Sequence, residues 1–202
     1  DGYTLKLIRE GIETKFRSEV NEVMDSMIQE GSLERSEIFA HPRFVEPLVR
    51  YIVDDFRKSR ILNNEPAIGG MIVCDSSDQA RSIFASLCGK SVSSVVNLND
   101  NDEDENFSIA AEDIKYQSNR STGLTSALIL HDEDTKEIRK DHILGFKKLL
   151  TVDILVVYNM LLTGFDAPRL KKLYLLRKID RHNLLQTLTR VNRPFRKFRY
   201  GY

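Results

Sequence analysis

Short apolar runs alternate with helical stretches along the last two thirds of the chain, and this alternation restricts the fold more than any other feature. Residues 71–74 are Met, Ile, Val and Cys, residues 127–130 are Ala, Leu, Ile and Leu, and residues 153–158 and 173–176 repeat the pattern. Runs that are apolar at consecutive positions suit strands covered on both faces, and intervening helices imply that such strands lie parallel. The predicted class is α/β, a parallel sheet with helices on both faces. Residues 92–98 read as a further strand and 109–117 as a short helix. After the first strand, Asp75, Ser76 and Ser77 offer N-cap side chains to a helix bearing Ala80, Ile83, Phe84 and Leu87. Asp134 and Glu137 resemble a capping box for a helix reaching Leu149. A last helix runs from about Arg181 to Asn192 and stops before Pro194.

The N-terminal third has a different rhythm. Leu5, Ile8, Ile12, Phe16, Val20, Val23 and Met27 recur at steps of three or four, which predicts one amphipathic helix over 3–30, ended by Gly31 and Ser32. A second helix starts at Pro42 and carries Val45, Leu48, Val49, Ile52 and Phe56. These helices are expected to form an appendage or linker over 1–65, ahead of an α/β domain over 66–202 with an acidic insertion at about 99–107. Glu13 and Lys15 match the tail of a nuclease-type pattern, but no partner acid accompanies them, and they read as helix surface.

The net charge of zero conceals an uneven distribution. From Arg169 to Tyr202 eleven residues are Lys or Arg and one, Asp180, is acidic. A basic end on a neutral chain argues for a local anionic partner. The two cysteines, Cys74 and Cys88, have neither metal-ligand spacing nor the numbers for a disulfide framework, which points to a reduced, cytoplasmic setting. No apolar run approaches the roughly 18 residues that span a bilayer, and no metal site is expected. Both ends read as cut, as in a fragment of a larger protein.

Chemistry concentrates in the last fifty residues. The strand over 153–158 runs into a loop holding Thr163, Gly164 and Asp166. Glycine lets backbone approach a ligand, a carboxylate can accept from a sugar hydroxyl or hold an arginine, and threonine can donate to a phosphate. In open parallel sheets ligands sit beyond the carboxyl ends of the strands, and the 159–168 loop, which follows its strand directly, is expected to lie along that edge. Gln186, Arg190 and Arg193 follow at i, i+4 and i+7, so a helix presents them on one face. An amide and two guanidinium groups on one stripe suit a phosphate-bearing ligand.

The order of these elements resembles the second RecA-like domain of superfamily 2 helicases and translocases: residues 70–88 resemble motif IV, 154–168 motif V and 186–193 motif VI. The wording of 158–168 (Tyr-Asn-Met-Leu-Leu-Thr-Gly-Phe-Asp-Ala-Pro), 171–174 (Lys-Lys-Leu-Tyr) and 182–194 (His-Asn-Leu-Leu-Gln-Thr-Leu-Thr-Arg-Val-Asn-Arg-Pro) closely resembles the restriction (motor) subunit of type I restriction-modification enzymes. The specific match covers roughly 124–202. The resemblance implies that Arg193 is an arginine finger reaching the γ-phosphate of ATP, that Arg190 is a second phosphate contact, and that Gln186 lies near the γ-phosphate or the attacking water. It implies that Gly164 and Asp166 line the nucleotide cleft, that Thr163 relays to the DNA backbone, and that Ser76 and Ser77 touch DNA phosphates. Many motif VI sequences have arginine directly after the Gln and glycine three residues after it; here those positions hold Thr187 and Thr189.

No Gly-x-x-x-x-Gly-Lys-Ser/Thr loop occurs in the chain, nor an Asp-Glu-x-His motif. These Walker A and B motifs grip triphosphate and Mg2+, so ATP and Mg2+ are expected to be held mainly by a first RecA-like domain, and this segment alone is expected to be inactive. The implied whole is an ATP-dependent translocase and endonuclease acting on double-stranded DNA, with a nuclease domain in the same polypeptide and modification and specificity subunits as partners. Two other readings fit the same residues: another superfamily 2 DNA motor, such as a type III restriction or repair translocase, and a non-catalytic nucleotide-sensing α/β module.

Overall fold

A computed structural model describes residues 6–7, 14–29, 35–89, 117–118, 123–132, 135–161, 165–178, 186–189, 191–196 and 200–201. In chain order the elements are β1 (Lys6–Leu7), α1 (Thr14–Gln29), α2 (Arg35–Ala40), α3 (Pro42–Asn63), β2 (Gly69–Val73), α4 (Ser77–Leu87), β3 (Gln117–Ser118), β4 (Thr125–Ile129), α5 (Lys136–Leu144), β5 (Ile154–Val157), β6 (Leu170–Leu175) and β7 (Tyr200–Gly201). A π-helical turn, Gly145–Leu149, extends α5. The main sheet has the order β3-β4-β5-β2-β6. Strands β4, β5, β2 and β6 are parallel, and β3 joins the edge antiparallel to β4. The α/β class and the parallel sheet agree with the sequence reading.

Both faces of the sheet are covered, which explains the continuously apolar strands. On one face Ile72, Cys74, Leu128, Leu130, Ile154 and Val156 pack against α3 and α4. On the other, Met71, Val73, Ala127, Ile129, Leu155 and Val157 meet Phe146, Phe165, Ala167 and Val191. The faces alternate residue by residue, as strand geometry requires. Full burial of each aliphatic side chain contributes roughly 1.5–3 kcal/mol, so the sheet has ample driving force without a staple. Cys74 and Cys88 are free thiols. Burial, with Asp75 adding to it, pushes the Cys74 thiol far above its ordinary value, so it is inert packing.

Helix α3 was expected within an appendage. Phe44, Val45, Leu48, Val49, Ile52, Val53 and Phe56 instead share one core with the sheet strands. Its heptad-like stripe needed an apolar surface to cover, and the sheet face supplies it. His41 caps its start by accepting from Arg43 N at 3.2 Å, and Asn64 ends it in a left-handed conformation.

Other expectations shift. The single helix over 3–30 is shorter: Lys6 and Leu7 pair in parallel with Tyr200 and Gly201. A remote pairing partner overrides local periodicity there. Thr135, not Asp134, caps α5, accepting from Ile138 N at 3.4 Å; Asp134 lies outside the described residues. Gln117 belongs to a strand instead of a helix. The predicted strand over 92–98 and the acidic insertion lie outside the described residues, as does the last helix before 186.

Two glycines open β2 because two aromatic rings press on it from opposite sides. A Cβ on Gly69 would overlap the Phe146 ring, and one on Gly70 would lie 3.0 Å from Phe56 Cε2. No helix among the described residues is long and apolar enough to cross a membrane.

Candidate functional site

The connection from β5 to β6 leaves the carboxyl edge of the sheet and must return to the amino edge, because the two strands run the same way. Its second half descends along a sheet face. Phe165 is buried with its ring centroid 6.0 Å from that of Phe146, and Ala167 is fully buried. The loop was expected along the carboxyl edge; Phe165 and Ala167 lie instead in the core against one sheet face. Burial of Phe165 and Ala167 turns the intervening Asp166 outward, to 50% side-chain exposure.

Arg193 Nη1 donates to Asp166 Oδ2 at 2.7 Å, and its side chain is 42% exposed. The structure thus brings together two residues 27 positions apart that the sequence placed in one site. Gln186 opens the helical residues 186–189 and is half-buried, while its carbonyl accepts from Thr189 Oγ1 at 2.7 Å. Thr187 and Val191 are buried on the inner side. Thr163, Gly164 and Arg190 lie outside the described residues.

Ser76 and Ser77 sit at the carboxyl end of β2. Ser76 Oγ accepts from Gln79 N at 3.1 Å, and buried Gln79 accepts from Asp75 N through Oε1 at 2.7 Å. This reciprocal pair is a capping box displaced by one residue. The Ser76 oxygen is therefore committed as an acceptor, and its hydroxyl proton can still be donated. Ser77 begins α4 and is partly exposed.

Three basic residues of the C-terminal segment do something the sequence did not announce. Arg169, Lys171 and Lys172 are all buried. Arg169 donates to the carbonyls of Ala67 (2.8 Å), Phe146 (2.8 Å) and Val152 (2.7 Å). Burial pulls its pKa down to about 10, partly offset by Asp153. Lys171 Nζ donates to the carbonyls of Val191 and Arg193, and burial lowers its pKa to about 8. Lys172 pairs with Asp55 at 3.0 Å. The expectation that the basic end as a whole addresses an anionic partner is corrected accordingly: these three charges are spent inside the fold. Nothing in the local pattern marks them, because a Lys-Lys pair reads as surface. Among the described residues no group of three or more His, Cys, Asp or Glu is placed to hold a metal ion.

Residues 70–201 match the family described as type I restriction enzyme subunit R domain 3. The chain belongs to this family. The R-subunit domain is an α/β, RecA-like fold, and its matched span takes in β2 through β7 with the Asp166–Arg193 pair. Similar proteins include the type I restriction enzyme SauCOLORF180P endonuclease subunit of Staphylococcus aureus, 38% identical over 39% of this chain and 8% of its own length. The type I restriction enzyme HindI endonuclease subunit of Haemophilus influenzae is 37% identical over 31% of this chain and 7% of its own length. The SsaAORF53P endonuclease subunit of Staphylococcus saprophyticus is 45% identical over 21% of this chain and 4% of its own. The chain thus spans a small part of the curated R-subunit relatives it matches.

Proposed function

We propose that the chain is the second RecA-like domain of a type I restriction R subunit, a cytoplasmic motor that translocates double-stranded DNA at the expense of ATP and cuts it through a separate nuclease domain. In this reading it supplies motifs IV to VI to a cleft completed by a first RecA-like domain, which holds ATP and Mg2+. Modification and specificity subunits complete the assembly. The relatives' names as endonuclease subunits support the enzyme class.

The observation that carries the reading is the 2.7 Å contact between Arg193 and Asp166. An exposed ion pair is worth roughly 0–1 kcal/mol, so exchanging the carboxylate for a phosphate oxygen costs little. A half-exposed guanidinium on a fixed segment is the donor that a γ-phosphate arriving from a neighbouring domain requires. Arg193 would act as the finger that stabilises charge on the transferring phosphoryl group, and Asp166 would park it between turnovers. Arg190 would be a second phosphate contact, with Gln186 orienting the attacking water. Gly164 would admit the nucleotide and Thr163 would relay to DNA, whose backbone Ser76 and Ser77 touch.

Arg193→Ala in the intact, assembled restriction enzyme tests this. Loss of an arginine finger lowers turnover by about 10³–10⁵, equivalent to roughly 4–7 kcal/mol of barrier. DNA-dependent ATP hydrolysis at the wild-type rate would overturn the assignment.

A further inference from the structure

We infer that Lys171 and Glu65 are positioning residues that fix the backbone on either side of Arg193 and so set where its guanidinium reaches; the inference rests on the reading of Arg193 as the finger. Strand β6 supplies the first anchor through an irregularity. Against β2, Leu170 pairs with Gly69 but Lys172 pairs with Gly70, so Lys171 is the extra residue of a bulge. A bulge re-aims a side chain. Lys172 and Tyr174 reach Asp55 of α3 on one face, while Leu170 and Leu173 pack with the cluster on the other. Lys171 joins that second side, where it donates to Val191 O at 3.3 Å and to Arg193 O. The last carbonyls of a helix lack partners within it, and a buried ammonium supplies one here. A methionine would fill the same volume without the cost of burying a charge, so the hydrogen bonds are what the lysine adds.

The second anchor lies three residues past Arg193. Arg196 adopts a left-handed backbone conformation, φ 49°, and its guanidinium binds Glu65 Oε1 at 2.6 Å. Glu65 is buried and also accepts from Ala67 N at 3.1 Å, which ties the segment to the turn leading into β2. The backbone over 191–196 is therefore held from strand β6 and from the turn ahead of β2, while the Arg193 side chain between the anchors stays half-exposed to solvent. A fixed base with a half-exposed tip, held by the exposed Asp166 carboxylate, lets an arginine act at one distance.

The test uses the intact restriction enzyme and DNA-dependent ATP hydrolysis. Misplacing a catalytic group by about 1 Å can cost about 10²-fold in rate. Lys171→Met is expected to lower kcat by about that factor with KM for ATP unchanged. Glu65→Gln keeps an acceptor for Ala67 N and loosens the Arg196 anchor, so it lowers kcat by less and decides the matter should Lys171→Met fail to fold. In an Arg193→Ala background neither change lowers kcat further, because residues acting through one group are not additive. Wild-type kcat in the single variants, an equal rise in KM, or full additivity with Arg193→Ala would each overturn the positioning role. If Arg193→Ala itself retains wild-type kcat, the finger reading fails instead, and the two failures are told apart by that one variant.

Discussion

Arg169 and Arg193 carry the same guanidinium within one basic segment, yet the fold uses them in opposite ways. Arg169 is 1% exposed, donates to three carbonyls, and lies 4.8 Å over the Phe146 ring. It joins the ends of three connections at the amino edge of the sheet, next to the Arg60–Asp153 pair at 2.5 Å. Arg193 is 42% exposed and meets one exposed carboxylate. A guanidinium buried at 1% exposure and held by three carbonyls through Nε and Nη1 is closed to a ligand, although its Nη2 has no hydrogen-bond partner and lies 3.9 Å from Asp153, whereas an exposed one with a weak partner can change partners. Burial, not residue type, separates the structural arginine from the candidate finger.

The contrast breaks most easily at its buried end. Arg169→Met should cost about 3 kcal/mol or more of stability in urea unfolding, since three buried carbonyls lose their donor; a loss below 1 kcal/mol on the order of experimental error would show that the centre is dispensable. Gly69→Ala should cost about 1–3 kcal/mol by the same measurement, because the new methyl must displace the Phe146 ring on which Arg169 rests. Ser76→Ala should cost about 1 kcal/mol as a lost helix cap, and any larger fall in DNA-stimulated hydrolysis would sharpen its proposed contact with phosphate. Arg193→Ala should change stability least, by less than about 1 kcal/mol. Unfolding of Arg193→Ala as severe as that of Arg169→Met would erase the distinction between the two arginines.

Much of the fold was legible because its signals are local. The strands at 71–74, 127–130 and 153–158, the start of α3 at Pro42 and the cap at Ser76 all rest on a residue's near neighbours. The candidate site was legible in part: the sequence marked Asp166 and Arg193, but the helical stripe expected to carry Arg193 stops short of it, because Asn192 and Arg193 lie in a bend after Val191. What escaped was remote in sequence. The pairing of Lys6 with Tyr200 crosses nearly the whole chain, and the anchoring of Arg196 by Glu65 spans 131 positions. The Lys171 bulge depends on how β6 registers against β2, and a one-residue slip is invisible to composition.

The sequence by itself determined the α/β alternation, the direction in which the strands run, and the set of polar residues available for chemistry, because periodicity and capping act over a few residues. Only the tertiary structure decided which charges are buried, which helix covers which sheet face, and that Asp166 and Arg193 meet. Those outcomes depend on the registration of distant segments, which buries three basic residues as internal ties and leaves the Arg193 guanidinium half-exposed beside Asp166.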